Sequence, residues 1–418
     1  MLFFYNLFIA LYQLGVRIAS FKSTKATLWL EGRKNIFNKL QVWRNELPAD
    51  SNIIWVHCAS LGEFEQGRPV IEALKKDYPL HKILLTFFSP SGYEIRKHYP
   101  QADGVFYLPM DGKRNAQRFL EIVQPALVIW VKYEYWYYYL TTLKTTGVPV
   151  LLVSAVFRAS QPFFKWYGGL WKKVLQSFET IFVQNASSIE LLTEIKLAQN
   201  VVLAGDTRFD RVVAVAATTH SLPELVIQFC ANSTVIVAGS TWEDDEEVLK
   251  HFIVQHPHIK FIIAPHEIDE EHLFSIKKIL PQAVFYTTLK QHDVTAQVLV
   301  IDNIGMLASL YKIATIAYIG GGFNDSGIHN ILEAAVYGMP VVFGPEYHKF
   351  SEALALVQQK GAFSVETALE LENTLNDLLI NTNTYDKACN VNKAYVLQNK
   401  GATEKIMSHI YAKRLLTN

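Results

Sequence analysis

From about residue 52 onward, short and nearly continuous apolar runs alternate with segments of helical period. The runs "NIIWVHCAS", "KILLTFF", "GVFYLP", "PALVIWV", "VPVLLVSA" and "TIFVQN" have strand length and are rich in Val, Ile and Leu. Between them, segments such as "PVIEALKKDYP" and "NAQRFLEIVQP" carry the 3.6-residue spacing of helices and stop at proline. Strands apolar on both faces and separated by helices predict a parallel sheet covered on both sides. The pattern pauses at residues 204–233 and restarts with "TVIVAGS", "KFIIAP", "AVFYTT", "VLVIDN", "IATIAYIGG" and "PVVFGP". The expectation is an α/β chain of two doubly wound, Rossmann-like domains facing a central cleft, with no tandem repeat. Its boundaries are set at 1–45 for an N-terminal anchoring segment, 46–210 for the first domain, 211–230 for a linker and 231–418 for the second domain. The last helix is expected to pack back on the first domain.

The N-terminal segment differs from the rest. "MLFFYNLFIALYQLGV" is sixteen residues without a charge, followed by Arg17, Lys22, Lys25, Arg33, Lys34, Lys39 and Arg44 against the single acid Glu31. It is shorter than the roughly 20 apolar residues of a spanning helix, and it contains Asn6 and Gln13. No basic stretch precedes it and no cleavage site follows, so it does not read as a signal peptide. We read it as an uncleaved helix in or on a membrane, its basic flank meeting anionic head groups and holding the next domain on the cytoplasmic side. The competing explanation is a long buried helix of a soluble domain.

Charge narrows the partners. With 39 basic and 39 acidic residues in 418, the chain is neutral and lacks the basic surplus of a nucleic-acid binder. Cys58, Cys230 and Cys389 lie far apart, without metal-ligand spacing, and read as reduced core residues; no metal and no cofactor are expected.

Ligands of doubly wound sheets bind outside the carboxyl ends of the strands, so the strand-to-helix turns are searched for chemistry. At "VIVAGSTWEDDEEVL", Gly239, Ser240 and Thr241 could present donors to an anion, although Ser240 with Glu243 also fits a capping box. The acids at 243–247 read as a solvated first turn complementing the helix dipole. In "IATIAYIGGGFNDSGIHNILEAAVYGMPVVFGP", Gly320, Gly321 and Gly322 permit close approach to a ligand. Helical spacing would put His329 and Glu333 on one face, with Asn330 beside them. A Glu there can hold ribose hydroxyls while the helix N-terminus faces phosphate. His266 closes another strand in "FIIAPHEIDEEHL", and Glu134 closes one in "LVIWVKYEYWYYYL". In "FRASQPFFKWYGGLWKKVLQS", basic residues including Arg158 and Lys165 alternate with aromatics, which suits a membrane interface or, equally, an amphipathic helix with a solvated basic face. Ser60-Leu61-Gly62-Glu63 follows the first strand. Its Ser-x-x-Glu spacing is a capping box, yet Gly62 opens room for Glu63 to face a ligand.

Taken in order, Ser60–Glu63, "YLPMD", "VKYEYW", "GDTRFD", "AGST" and "GGGF…GIHNILEAAVYGMPVVFGP" resemble the motifs of the 3-deoxy-D-manno-octulosonic acid (Kdo) transferases of lipopolysaccharide assembly, over nearly the whole chain. The resemblance implies GT-B architecture and a metal-independent inverting glycosyltransferase without cofactor. It would move Kdo from CMP-Kdo to the lipid A disaccharide precursor at the cytoplasmic face of the inner membrane. It implies Glu63 as general base and a catalytic role for Glu134. Arg208, Ser240, Thr241, His266, Gly321, His329, Asn330 and Glu333 would lie on the CMP-Kdo side, and Arg158 and Lys165 on the acceptor side. The chain departs from the pattern at Pro265-His266, where many members have Pro-Arg-His, and at "SAVFR", where Arg158 is displaced. Another GT-B enzyme using a UDP- or GDP-sugar, or a catalytically silent nucleotide-binding protein, would share part of this signature.

Overall fold

A computed structural model describes residues 1–218 and 221–417. It divides into two compact units, Met1–Arg211 with Lys400–Asn418, and Val212–Asn399. In the first unit seven parallel strands stand in the order β3-β2-β1-β4-β5-β6-β7. They are β1 Ile53–Cys58, β2 Lys82–Phe87, β3 Gly104–Tyr107, β4 Pro125–Val131, β5 Val150–Ala155, β6 Thr180–Val183 and β7 Val201–Leu203. The second unit orders its seven parallel strands β10-β11-β9-β8-β12-β13-β14. These are β8 Val235–Thr241, β9 Lys260–Pro265, β10 Val284–Phe285, β11 Val298–Val300, β12 Ile316–Ile319, β13 Val341–Phe343 and β14 Ala362–Ser364. Every residue of β1, β5 and β12 is buried, as the unbroken apolar runs require of strands covered on both faces.

The apolar pattern missed β7 and β14. Both are three-residue edge strands, too short to register as runs. "AVFYTT" yields only a two-residue strand before turning into a 3-10 helix. The expected linker 211–230, of which 219 and 220 lie outside the described residues, is largely helical: one helix covers Thr207–Ala217 and another Glu224–Cys230.

The chain returns to the first unit through Asp210. Its carboxylate accepts the backbone N–H groups of Gly401 and Thr403 (2.7 Å to the latter), capping the last helix, Ala402–Ala412. That helix then buries Ile406 and Ile410 in the same apolar cluster as Leu74 of the helix that follows β1.

Three helices precede the sheet: α1 (Leu2–Ala19), α2 (Thr24–Arg33) and α3 (Ile36–Glu46). By length and composition α1 could cross a membrane, and little of it is buried. Only Tyr5 and Ile9, one turn apart, are buried, whereas Phe3, Phe4, Leu7, Phe8, Leu11, Leu14 and Ile18 are exposed. It is therefore not the buried core helix of the competing explanation. Its docking rests on buried Asp111, which accepts from the Tyr5 hydroxyl (2.6 Å) and from the backbone N–H groups of Tyr138 (3.0 Å) and Tyr139 (3.1 Å). One carboxylate thus caps the helix Tyr137–Thr146 and fastens α1 to it. Farther along, α2 lies so close to the sheet that a Cβ on Gly32 would stand 2.1 Å from the Tyr107 ring.

Because Asp210 supplies two bonds to one helix start, Asp210→Ala should lower stability by about 1–2 kcal/mol. It should also speed amide exchange selectively over residues 402–412. Chemical denaturation and hydrogen-exchange mass spectrometry would register both; uniform protection along that helix in the variant would contradict the assignment.

Candidate active site

Each strand order contains one reversal. In the first sheet the chain grows outward from β1 through β2 and β3, then returns to add β4 on the other side of β1. The crevice at the carboxyl ends of β1 and β4 is where such sheets bind ligands. Glu63 leaves β1 there as the third residue of α4 (Leu61–Asp77), and Glu134 follows β4.

Glu63 does cap its helix: the backbone N–H of Ser60 donates to its Oε2 (3.1 Å). With 9% of its surface exposed, Glu63 is pushed up to about 7, first by burial and then by the neighbouring charge of Glu134, against the N–H groups of Ala59 and Ser60.

Glu134 is held by residues that the motif reading passed over. His57, fully buried on β1, places Nε2 2.9 Å from Glu134 Oε2 and Nδ1 2.9 Å from Thr86 Oγ1. The Trp55 indole donates to the same Thr86 oxygen (2.8 Å), and the Trp136 indole donates to Glu134 Oε2 (2.9 Å). One polarity satisfies the chain: Trp55 to Thr86, Thr86 to His57 Nδ1, and His57 Nε2–H to Glu134. The Trp130 indole donates to the Glu134 carbonyl, fixing the backbone as well. The signal in the sequence was a lone histidine inside an otherwise apolar strand.

Lys132 and Ser154, at the ends of β4 and β5, both have positive φ (59° and 57°), backbone strain of the kind concentrated at functional turns. Ser154 bonds Thr207 Oγ1 (3.0 Å), which donates to the Gln66 carbonyl on α4. The "GDTRFD" turn is thereby tied beside Glu63. Within it, the Arg208 Nε–H donates to Asp206 (2.8 Å). Arg158, Glu63 and Arg208, all expected at the site, act electrostatically on Tyr133, as does Asp206. Lys165 follows the short turn Pro162–Phe164, next to the almost wholly exposed Trp166.

In the second unit the reversal falls between β8 and β12. The Ser240–Glu243 capping box does not form. Ser240 and Thr241 still belong to β8, so the helix starts at Glu243 with Trp242 as cap, and Trp242 N–H donates to Asp245 Oδ2 (2.9 Å). Nor is the acidic run all solvated surface, because Asp245 and Glu246 are fully buried. Asp245 also accepts from the Tyr318 hydroxyl (2.7 Å) and Gly321 N–H (2.8 Å), and burial pushes it up to about 6. Glu246 accepts the Thr241 hydroxyl (2.8 Å) and bonds His272 (3.2 Å).

The glycines serve packing within the unit. A Cβ on Gly320 would meet the Ser240 carbonyl at 2.3 Å, and one on Gly322 the backbone of Gly344 at 2.6 Å. Gly321 has φ of 90°, which L side chains rarely adopt.

His329 and Glu333 do not share a helical face. The helix is one turn, Leu332–Ala335, and His329 lies in the preceding loop, its N–H donating to the Gly320 carbonyl (3.1 Å). Asn330 Nδ2 does reach Glu333 Oε1 (3.0 Å). His266 stacks on His329 (centroids 4.2 Å apart) and on Trp242 (4.8 Å). The Trp242 indole donates to His329 Nε2 (3.3 Å), so the ring proton of His329 sits on Nδ1. Burial and His266 lower His329 to about 4, making it a neutral donor at pH 7. Trp242 was not among the expected residues.

Two doubly wound units with their functional turns at the strand-order reversals define a GT-B-type α/β protein. Its fold is similar to that of a UDP-GlcNAc 2-epimerase from Neisseria meningitidis (TM-score 0.60, 16% identity, covering 86% of this chain and 100% of that one). Residues 34–211 match the family described as 3-deoxy-D-manno-octulosonic-acid transferase (Kdo transferase). The chain is 29% identical over 333 residues to the 3-deoxy-D-manno-octulosonic acid transferase of Aquifex aeolicus, spanning 78% of this chain and 86% of that protein. It is 26% identical over 372 residues to the enzyme of the same name from Haemophilus influenzae, 85% of each. The chain is thus similar to Kdo transferases, by the family match over residues 34–211 and by these relatives over most of its length.

The buried Glu63 has a stability signature. Its folded pKa of about 7 exceeds the usual carboxylate value, so the folded state holds the proton more tightly and stability falls as pH rises from about 4.5 to 7. Glu63→Gln keeps an acceptor for Ser60 and carries no charge. We expect it to be nearly neutral at pH 5 and stabilising by on the order of 1–3 kcal/mol at pH 8. Urea denaturation at the two pH values checks this; equal stability of variant and wild type at pH 8 would refute the burial account.

Proposed function

We propose that this protein transfers Kdo from CMP-Kdo to the phosphorylated disaccharide precursor of lipid A, without a metal ion, at the cytoplasmic face of the inner membrane. The observation that carries the reading is the carboxylate pair on neighbouring strand ends: Glu63, raised to about 7, beside Glu134, whose position is fixed by His57 and Trp136. Inverting transfer needs one base on the acceptor side, and a base acts best when its pKa lies near the working pH. Glu63 takes the proton of the attacking hydroxyl as the new bond to the anomeric carbon forms and the bond to the CMP phosphate breaks. Glu134 keeps Glu63 basic through its charge and offers its second oxygen to the acceptor.

The leaving phosphate requires no proton, only charge stabilisation. In the second unit, neutral His329 offers an Nδ1–H, with His266 stacked on it and Ser240 near the end of β8. The Asn330–Glu333 pair is suited to ribose hydroxyls. Arg208 and the Arg158 side of the Tyr133 turn would serve the anionic sugar and the acceptor. Thr241 acts indirectly, because its hydroxyl donates to Glu246. The exposed apolar side of α1, followed by the basic residues at 17–44, supports residence at the membrane surface.

Incubation with CMP-Kdo generated in situ and a tetra-acylated lipid A precursor should give transfer that survives EDTA. Turnover of a UDP- or GDP-sugar instead would overturn the donor assignment. Glu63→Ala should cost about 10³-fold or more in kcat while CMP binding persists, whereas Glu333→Ala should lose CMP binding. The rate should rise with pH through about 7, where Glu63 ionises; Glu134→Gln, by removing the neighbouring charge, should move that limb to lower pH. A limb that stays in place would remove Glu63 from the role of base.

A further inference from the structure

His272, on the helix Glu270–Ile279, has an acceptor at each ring nitrogen. Its Nδ1 lies 2.9 Å from the Glu267 carbonyl, an oxygen that can only accept, so Nδ1 carries a proton. Its Nε2 faces both carboxylate oxygens of Glu246, at 3.1 and 3.2 Å. Glu246 is fully buried on the neighbouring helix Glu243–Gln255, and its Oε1 also accepts the Thr241 hydroxyl (2.8 Å). A buried carboxylate needs a compensating charge, and His272 is the cationic partner that Glu246 has among the described residues. With Nε2 donating to that carboxylate, both ring nitrogens are protonated and His272 is an imidazolium. Its pKa is accordingly raised, first by the hydrogen bond to Glu246, against the desolvation of a side chain only 11% exposed.

This cation fastens the turn that follows β9. His266 opens the turn: its N–H donates to the Thr241 carbonyl (2.9 Å), and its ring stacks on Trp242 and His329. Asp269 closes the turn by accepting the His272 N–H (2.9 Å) as a helix cap. The Glu267 carbonyl, held by the His272 ring, lies between these two points. The ring therefore reaches from the turn to the carboxylate bonded to Thr241, and it ties the ends of β8 and β9 together where the ring stack stands. The other charges near it are accounted for. Glu243, on the same helix as Glu246, accepts the Ser275 hydroxyl (2.7 Å), and Asp269 adds its negative charge from the cap. Burial lowers His266, against the charge of Glu267 and with that of His272; burial and His266 in turn lower His329. The cation behind the stack thus helps to keep both stacked rings neutral.

We propose that His272, as an imidazolium, is a positioning residue for the donor half of the site: it holds the His266 turn in the arrangement that binds the nucleotide, and loss of its proton loosens that hold. The inference rests on the preceding reading of the second unit as the nucleotide-binding side. A neutral His272 keeps its proton on Nδ1 for the Glu267 carbonyl and has no donor left for Glu246. The buried carboxylate then keeps only the Thr241 hydroxyl, and the link between turn and helix is broken. The sign follows from the direction of the shift. With a folded pKa above the ordinary 6.5, the contribution of the link is complete below 6.5 and is lost as pH rises through the raised value.

The test is calorimetric binding of CMP to the full-length protein in phosphatidylcholine vesicles. It runs from about pH 7 to about pH 9.5, above the second phosphate ionisation at about 6. His266, His329 and Asp245 all titrate below that range. Wild-type affinity should fall roughly tenfold across it, with the KM for the CMP-sugar rising and kcat not following. Glu246→Gln keeps an acceptor but removes the charge, so the fall should move to lower pH. In His272→Gln, affinity should be reduced and independent of pH. A flat wild-type profile would overturn the proposal, as would a His272→Gln variant that keeps the wild-type slope. Nitrogen-15 NMR of the ligand-free, histidine-labelled protein gives a check on the wild type itself. Both His272 ring nitrogens should be protonated at about pH 7, and a neutral ring there would overturn the proposal. The same spectra separate the two readings. A His272 that titrates above 6.5 while CMP binds at no pH would overturn the donor reading and uphold the fastening of the turn. CMP binding with a flat profile would overturn the fastening alone.

Discussion

Two carboxylates on adjacent strand ends repel one another, and the first unit is organised around holding them there. Glu134 is fastened from beneath by a buried chain of Trp55, Thr86 and His57, and from the side by Trp136. None of these groups can move without leaving a polar atom unpaired in a core of Trp55, Trp130, Phe119 and Tyr139. Glu63 enters that fixed field through a helix start, and its proton affinity rises, first through burial and then through the neighbour's charge. The capping bond and the proposed role as base are compatible. Ser60 donates to Oε2, which aims the carboxyl.

The second unit solves a related problem differently. Its buried acid, Asp245, receives three hydrogen bonds, one of them from the backbone of Gly321, and so pins a loop that glycine alone would leave loose. The three consecutive glycines then divide the work. Gly320 and Gly322 let backbone pass backbone, and Gly321 makes the left-handed step. The ring stack of Trp242, His266 and His329 rests on this platform, with His329 kept neutral by burial.

Strand content and the two-unit plan were legible because parallel strands buried on both faces write themselves as unbroken Val, Ile and Leu runs. The edge strands β7 and β14 were not, since three residues at a sheet margin leave no periodic trace. Glu63 and Glu134 could be found from strand-end position and motif together. His57 was marked only as a lone histidine in an apolar run, with no sign of what it would face; the pairing of β1 with β4 carries it to Glu134. Helical spacing misled at His329 and Glu333, where the turn Leu332–Ala335 is too short to carry both. It misled again at residues 243–247, where the run of acids concealed two buried structural carboxylates.

The N-terminal helix is bound to the turn that carries Glu134 by more than proximity. Asp111 takes the Tyr5 hydroxyl with one oxygen, and the same oxygen holds the N–H of Tyr138; Tyr137 in turn donates its N–H to Tyr5 (3.2 Å). These bonds fall within four residues of Glu134, on the segment that also carries Trp136. A helix serving only to tether the protein would gain little from a buried, fully satisfied carboxylate at its base. Such a network is costly if half-made and rigid if complete, so it fixes the position of α1 relative to the site. The exposed apolar side of α1 and the crevice that holds Glu134 are then held in one fixed register within the first unit.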